Sequence, residues 1–173
     1  MSQKRLFSGR SVGYFPAMSL TLQNLDRIDR QILHVLQVDS TLSIQQVGEK
    51  VGLSHNACWR RIKRLEESGI IRKRVALVDP KKVGYGVTVF VTVRTSQHTE
   101  EWLEKFARGV SALPEVMEFY RTSGDIDYLL KVLVADIAEY DRFYKKLIAI
   151  APLSDVSSNF AMEQVKYTTE IPV

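Results

Sequence analysis

The stretch "VGLSHNACWRRIKRLEESGIIRKR", from Val51 to Arg74, decides how the first part of this 173-residue chain folds. It carries seven basic residues and two acidic ones, a local excess of positive charge larger than the net charge of +4 of the whole chain. Ser54 is a suitable N-cap for a helix that runs to about Ser68 and stops at Gly69. Because concentrated charge usually faces a partner, this segment is the first candidate for a binding surface.

Helical geometry separates this segment into two faces. At about 100° per residue, the apolar side chains fall on one side, which contains Cys58, Ile62 and Leu65. The opposite side is polar and basic and contains Asn56, Arg60 and Lys63. Since the apolar side must pack on other helices, the basic side is expected to face outward.

Two more amphipathic helices are predicted before this one. "LDRIDRQILHVLQVD" (25–39) has apolar residues at helical spacing, and "TLSIQQVGEKVG" (41–52) has Ser43 as a plausible N-cap. Gly52 can take a positive φ and end the second helix sharply. Two helices joined by a tight turn, the second one basic outside, form a helix-turn-helix. One position departs from that pattern, because Arg61 occupies the last expected apolar site, beside Ile62.

A basic run in isolation is usually a solvated helix face, but the preceding helix, the glycine turn and the serine cap favour double-stranded DNA as the partner. "IIRKRVALVD" (70–79) alternates loosely and predicts a two-stranded wing beside the phosphate backbone. Asn56 could read adenine and Arg60 guanine, whereas Trp59 is either a wedge against the first helix or a DNA contact. The predicted DNA-binding residues are Ser54, His55, Asn56, Trp59, Arg60, Arg61, Lys63, Arg64, Arg72, Lys73 and Arg74.

The second half has a different pattern. "VTVFVTVRT" (87–95) alternates strictly, and it is followed by a helix, two strands, a helix and a final strand, in the order β-α-β-β-α-β. The fold class is therefore α/β in two domains, a winged helix-turn-helix followed by a ferredoxin-like βαββαβ sandwich. The helices would cover one face of the sheet. Phe90 and its neighbours would leave the other face apolar enough to form a dimer.

A turn in "RTSGDIDYLL" (121–130) is the one segment of this half with binding chemistry. Its free backbone N–H groups and hydroxyls suit a carboxylate, and Asp125 and Asp127 suit an ammonium group, so a free α-amino acid fits. The alternative is an ordinary hairpin turn that uses Gly and Asp for their backbone preferences. His34, His55 and His98 lack metal-ligand spacing and no catalytic set is visible, so neither an enzyme nor a metal or other cofactor is expected.

Composition and length limit the remaining possibilities. The 45% hydrophobic and 25% charged contents are typical of a globular protein, and no apolar run approaches the roughly 20 residues that span a bilayer. The single cysteine, Cys58, fits a reducing compartment, so a cytoplasmic protein without membrane contact is expected. The expected organisation is a disordered extension over 1–23, a DNA-binding domain over 24–78, a linker over 79–86 and a ligand-binding and oligomerisation domain over 87–173. Within the extension, Met18 is an alternative start.

From about Leu25 to Thr169 the chain resembles the Lrp/AsnC family of transcription regulators. The blocks "LDRIDRQILHVLQVD", "LSHNACWRRIKRLEESGII", "VALVDPKKVGYG", "TSGDIDYLL" and "FAMEQVKYTT" carry the resemblance, in that order. The resemblance implies a bacterial regulator, located in the cytosol or nucleoid, whose dimers often close into octamers. "ACWRRIKRLE" and "SSNFAMEQVKYTTEIP" are most similar to the branch that regulates cysteine breakdown.

The resemblance also implies an effector site. Carried over by motif, it lies on the turn at Thr122, Ser123, Gly124, Asp125 and Asp127, and the last strand of a neighbouring subunit completes it around Ser158 and Phe160. A small amino acid such as cysteine is the first candidate effector, with leucine and methionine as alternatives. The rival functional hypothesis is a nucleoid-organising DNA-binding protein with little effector response.

Overall fold

The structure is a computed structural model that describes residues 25–173; the extension predicted for residues 1–23 lies outside the described residues. The chain divides into two compact units. The N-terminal unit reaches Val75 and also includes Thr168–Val173, and the second unit runs from Ala76 to Tyr167.

Three helices form the N-terminal unit, as the sequence predicts: α1 (Arg27–Val38), α2 (Ile44–Val51) and α3 (His55–Glu67). Each begins at a side-chain cap, because Asp26, Ser43 and Ser54 accept hydrogen bonds from backbone N–H groups of the first turn. The caps predicted at Ser43 and Ser54 are therefore confirmed.

The turn between α2 and α3 depends on two glycines. Gly52 ends α2 in the left-handed region at φ 72°, as predicted. Gly48 has no room for a side chain, because a Cβ there would lie 2.8 Å from the carbonyl oxygen of Leu53. The Leu53 N–H also donates to the Gly48 carbonyl at 2.9 Å, so this close approach sets the angle at which α3 leaves α2.

The core of the N-terminal unit lies where the three helices meet. Its buried apolar residues are Ile32, Leu33, Val47, Val51, Cys58, Ile62 and Leu65. The three that come from α3 are the ones that helical spacing assigns to its apolar side. Burial of a side chain of this size contributes about 1.5–3 kcal/mol, so packing rather than helix propensity fixes α3 in place.

The predicted two-stranded wing is not formed. Residues 72–79 are exposed and belong to no helix or strand. A strand needs a neighbour for its N–H and C=O groups, and within the described part of this single chain the segment has none. Arg74 instead pairs with Glu66 near the end of α3, at 3.1 Å from Nη2 to Oε1.

The second unit has the predicted β-α-β-β-α-β order. Its elements are β1 (Val87–Arg94), α4 (Glu100–Ser111), β2 (Val116–Arg121), β3 (Tyr128–Val134), α5 (Ile137–Ile150) and β4 (Asp155–Phe160), with a 3₁₀ turn at Lys81–Val83 before them. The strands form one antiparallel sheet in the order β2-β3-β1-β4. The ferredoxin-like arrangement is therefore confirmed.

One face of this sheet carries the core. Val89, Val91 and Val93 of β1 are fully buried among aromatic side chains from the two helices. Trp102 stacks on Phe106 with ring centroids 4.8 Å apart. Phe90 points to the opposite face and stays 40% exposed, so the alternation seen in the sequence correctly separates the two faces.

The end of the chain contributes to the N-terminal unit. Gln37 of α1 holds the backbone of Ile171 by two hydrogen bonds, donating from Nε2 to the carbonyl at 3.1 Å and accepting from the N–H at 2.7 Å. These two bonds satisfy both polar groups of one residue, as a strand partner would. The Gln37 side chain thus attaches the final segment to α1.

Candidate nucleic-acid interface and effector turn

The exposed side of α3 presents the residues predicted to read bases. His55, Asn56, Trp59, Arg60 and Lys63 are all exposed, and Asn56, Arg60 and Lys63 lie on the side opposite Cys58 and Ile62. Ser54 lies at the start of the helix, where its hydroxyl accepts from the Ala57 N–H at 3.4 Å. A helix with exposed amide, imidazole and guanidinium groups in its first two turns has the donors and acceptors that base edges in the major groove require.

Trp59 is a partly exposed ring with a cation beside it. Its side chain is 44% exposed, and the Lys63 ammonium lies 5.0 Å from the centre of the ring. Such a contact contributes about 0.5–1 kcal/mol at an exposed site. Of the two sequence interpretations, this position favours a surface role for Trp59 over a wedge against α1.

Arg61 and Arg64 turn towards α1 and meet two aspartates. The Nη1 atom of Arg61 lies 2.8 Å from Asp29 Oδ1 and 2.6 Å from Asp26 Oδ2. Nη2 of Arg64 contacts the other carboxylate oxygen of Asp29. Asp29 itself is fully buried. Two of the predicted DNA-binding residues are therefore paired with carboxylates of their own chain.

The same two aspartates also form the N-terminal cap of α1. Asp26 accepts from the Asp29 N–H at 2.8 Å, and Asp29 accepts from the Asp26 N–H at 3.3 Å, which completes a capping box. The N–H of Asp29 and the guanidinium of Arg61 hold the pKa of the Asp26 carboxyl below its ordinary value. The pKa of Arg61 is raised by its hydrogen bonds to Asp26 and Asp29.

Sequence reasoning missed both aspartates, although a signal was present. Asp29 lies between Ile28 and Ile32 in the helical pattern, on the side of α1 that must be buried. A charged residue at an inward position requires an opposite charge nearby. The unexpected Arg61 at an apolar site of α3 is its partner.

The three remaining basic residues, Arg72, Lys73 and Arg74, are exposed in the segment after α3. They follow α3 in the sequence and belong, like α3, to the N-terminal unit. Exposed lysines and arginines of this kind contact phosphates rather than base edges.

The predicted effector turn joins β2 to β3 and is tightly bonded. The Thr122 N–H donates to the Asp127 carbonyl at 2.9 Å, and its hydroxyl donates to the Ile126 carbonyl at 2.5 Å. Gly124 takes a φ of 123°, which other residues rarely adopt. Ser123, Gly124 and Asp125 are exposed at the tip, so the structure brings the five predicted turn residues together.

Two further residues hold this turn against the end of β1. Asp127 accepts from the Thr95 N–H through Oδ2 at 2.8 Å, and its own N–H donates to the Val93 carbonyl at 3.0 Å. Arg94 donates from Nε to the Asp125 carbonyl at 2.7 Å. Arg94 and Thr95 were not among the predicted site residues, because they lie about 30 positions away in the sequence and only the sheet register joins them to the turn.

Ser158 and Phe160 lie elsewhere on the same sheet. They belong to β4, which β1 separates from β3 and from the turn. The Ser158 hydroxyl contacts the Tyr140 hydroxyl, and Phe160 meets the Tyr140 ring edge-on at a centroid distance of 5.0 Å. Within one chain the two parts of the predicted effector site are not brought together.

The described residues contain no group of His, Cys, Asp and Glu side chains that could hold a metal ion. Over the same residues, no helix is both long and apolar enough to cross a membrane.

Two family profiles match the chain. The AsnC-type helix-turn-helix domain matches residues 25–66, and the Lrp/AsnC ligand binding domain matches residues 88–171. The first match contains α1–α3, and the second contains the sheet and the turn.

Similar proteins are regulators. The chain is 52% identical over 152 residues to a glutamate uptake regulatory protein of Zymomonas mobilis, covering 88% of this chain and 93% of that protein. It is 51% identical to the DNA-binding transcriptional activator DecR of Escherichia coli K12, over 86% of this chain and 99% of DecR. It is also 34% identical to the leucine-responsive regulatory protein of Salmonella typhimurium, over 87% and 93% of the two chains.

Solved structures show the same fold. An AsnC family transcriptional regulator from Agrobacterium tumefaciens is 61% identical and has a TM-score of 0.83 over 86% of this chain and 97% of its own. A Neisseria meningitidis transcriptional regulator in complex with L-Met is 34% identical and has a TM-score of 0.82, with the same coverage.

Proposed function

The chain belongs to the Lrp/AsnC family of DNA-binding transcriptional regulators, and on this premise we propose that a small α-amino acid, bound where copies of the chain meet, modulates its binding to DNA. The observation that carries the proposal is the turn at 122–127, a polar loop with an exposed glycine tip in a domain that matches the amino-acid-binding part of the family. The Neisseria relative contains L-Met, which supports an amino acid as the class of ligand.

DNA recognition is assigned to the exposed side of α3. Arg60 and Asn56 supply base-reading groups, and Lys63 and the basic run at 72–74 supply phosphate contacts. One copy presents a single recognition helix and so covers half of a site, which makes a homodimer the smallest unit that reads a two-fold symmetric operator.

Two surfaces support self-association. The segment at 72–79 belongs to no strand, and Val75, Leu77 and Val78 are each more than half exposed, so a second copy could supply a strand partner for it. The sheet face that contains Phe90 and Tyr120 is the second surface. Association of such dimers into an octamer is the larger assembly that we propose.

The effector site would then be completed by a neighbouring subunit. Ser158 and Phe160 lie on β4, at one edge of the sheet, away from the turn of their own chain. If the pocket needs both parts, a second chain must bring its β4 to the turn. Cysteine is the effector we test first, because the polar "SSNFA" (157–161) offers hydroxyl and amide groups to a small side chain, with leucine and methionine as alternatives.

A gel-shift titration tests the proposal. The protein is titrated against the DNA upstream of its own coding sequence, and the titration is repeated with each of the twenty amino acids. We expect one or a few of them to change the affinity or the ladder of complexes by at least about tenfold, which corresponds to about 1.4 kcal/mol of coupling. Tight binding that no amino acid changes would favour the nucleoid-organising alternative.

A pair of variants tests the DNA side separately. Arg60→Ala should relax sequence preference, with a loss of about 1–3 kcal/mol on the preferred site. Lys73→Ala should weaken binding to every sequence and reduce the salt dependence. Equal losses on all sequences from both variants would mean that Arg60 contacts phosphate alone.

A further inference from the structure

We infer that the buried Asp29 is a positioning residue for DNA reading, which fixes α3 on α1 through Arg61 and Arg64 so that these two arginines do not serve as phosphate contacts. The inference rests on the proposed DNA-binding role of α3. It concerns the cluster of Asp26, Asp29, Arg61 and Arg64, called the arginine clamp below.

The contacts of Asp29 leave its carboxylate fully occupied. Oδ1 accepts from Arg61 at 2.8 Å, and Oδ2 receives both Arg64 and the Asp26 N–H at 3.3 Å. The residue is fully buried, although both arginines reach the surface. A carboxylate without access to water is stable only while its positive partners remain in place.

Arg64 could either stay paired with Asp29 or contact a DNA phosphate, and the burial of Asp29 favours the first. A phosphate could attract its guanidinium, but the move would leave Oδ2 of the buried Asp29 without its positive partner, with the Asp26 N–H as its remaining donor. Removing one partner of a buried ion pair is strongly destabilising, whereas an exposed phosphate contact is worth far less. Arg64 therefore remains with Asp29 when DNA is bound.

The clamp also explains why an arginine occupies the apolar site of the helix-turn-helix pattern. Arg61 lies next to Ile62, which is buried in the core, and its guanidinium bridges Asp26 and Asp29 at the start of α1. The two arginines lie at positions i and i+3 of α3, so they are neighbours on one side of the helix. Two fixed points on that side resist rotation of α3 about its axis, and rotation would move Arg60 and Asn56 away from the base edges.

The charges within the clamp cancel. Two arginines face two aspartates, so the cluster adds no net charge to the DNA-facing surface. The residues of α3 that remain for phosphate are Arg60 and Lys63, and Lys63 is only loosely paired with Glu67 at 3.7 Å. The salt dependence of DNA binding should thus be smaller than the number of basic residues in 51–74 suggests.

Lys63 and Arg64 form a matched pair for the test. They are adjacent, and their side chains are 53% and 56% exposed, but only Arg64 contacts Asp29. Lys63→Gln should lower the slope of log affinity against log salt by about 0.9, as the loss of one phosphate contact does. Arg64→Gln should leave that slope unchanged and should reduce discrimination between specific and non-specific DNA by about tenfold or more.

The experiment uses full-length protein and two duplexes of equal length and composition. One duplex is selected from a random library by the wild-type protein, and the other is its scrambled version. Asp29→Asn, Arg64→Gln and the double variant are compared at several salt concentrations. We expect Asp29→Asn to reduce discrimination as Arg64→Gln does, and the double variant to lose no more than either single variant.

Each outcome is decisive. Equal reductions of the salt slope by Lys63→Gln and Arg64→Gln, or additive losses in the double variant, would overturn the arginine clamp. If Asp29→Asn does not fold, the comparison of the salt slopes of Lys63→Gln and Arg64→Gln still tests whether Arg64 contacts phosphate. A wild-type protein that does not discriminate between the duplexes would overturn the clamp and sequence-specific reading together, whereas discrimination that survives all three variants would overturn the clamp alone.

Discussion

In the N-terminal unit a carboxylate lies among the packed helices, whereas the core of the second unit is built from valines, leucines and aromatic rings. Asp29 has to be paired for α3 to stay in place, so charge is part of that packing. In the second unit the sheet is secured by apolar contacts, and the polar turn at 122–127 lies outside them. With the turn as the effector site that we propose, the difference predicts that its exposed tip can change at little cost to folding, but that changes inside the DNA-binding unit affect folding and recognition at once.

The largest expected loss of stability comes from a substitution in the apolar core of the second unit. Phe106 is fully buried, stacks on Trp102 and meets Phe119 edge-on. Phe106→Ala should cost about 3–5 kcal/mol of unfolding free energy, measured by urea denaturation followed by tryptophan fluorescence. Phe90→Ala is the matched control, because it removes the same ring from the open face. A similar loss in both variants would show that the two faces of the sheet are not distinct.

The second largest effect is expected from substitutions in the turn between α2 and α3 of the N-terminal unit. Gly48→Ala places a Cβ 2.8 Å from the backbone oxygen of Leu53, and the turn cannot yield without moving α3. We expect a loss of about 1–3 kcal/mol, with DNA affinity falling alongside stability. In Gly52→Ala the new Cβ meets no atom within 4 Å, and the positive φ alone should cost about 1–2 kcal/mol. Thermal melts together with gel shifts measure both, and normal DNA binding by Gly48→Ala would contradict the prediction.

The third effect is confined to the effector turn. The Asp125 side chain is exposed at the tip, whereas Asp127 holds the turn to the Thr95 N–H. Asp125→Ala should weaken the amino-acid response of DNA binding by about tenfold, or about 1.4 kcal/mol, without a change in melting temperature. Asp127→Ala should lose the response and also lower the melting temperature by a few degrees.

Asp141→Ala serves as the control for both turn variants, because Asp141 lies on α5 and pairs with Lys145 at the surface. If both Asp125→Ala and Asp127→Ala keep the effector affinity of the wild type, the turn is not part of the effector-binding site.

The smallest effect concerns pH. The pKa of Asp26 is lowered by the Asp29 N–H and by Arg61, so its contribution to stability is present above the unfolded pKa, about 3.9. That contribution is lost as the pH falls through the lower folded value. Asp26→Asn should therefore melt below the wild type at pH 6, and the gap should narrow towards pH 3. A gap that stays constant across this range would mean that the charge of Asp26 does not act in folding.

Periodicity was enough to predict the elements of both units. Alternation placed Val89, Val91 and Val93 on the buried face, and helical spacing placed Cys58, Ile62 and Leu65 in the core of the N-terminal unit. These patterns are local, because each residue's side depends on the position of its neighbours in one helix or strand. The caps at Ser43 and Ser54 are local in the same sense.

The sequence could not predict contacts that depend on two distant segments. The pairing of Arg61 with Asp29 joins positions 32 residues apart, and that of Arg94 with Asp125 joins positions 31 apart. The wing failed as a prediction for a related reason. Residues 72–79 have a composition typical of a strand, but a strand forms only beside a hydrogen-bonded partner strand. Tertiary or quaternary structure determines whether that partner is present.

The attachment of Ile171 to Gln37 has a consequence for how the protein can be divided. Because Thr168–Val173 belongs to the N-terminal unit, the chain passes from one unit to the other twice, at Val75 and again at Tyr167. A protease that cuts once, within the exposed segment at 72–79, would leave the final segment on the second fragment, where its Ile171 backbone is the partner of Gln37 on the first fragment. A recombinant fragment that ends at Val75 would lack the backbone that Gln37 binds. A single cut therefore does not release a complete N-terminal unit, because that unit consists of two pieces of chain.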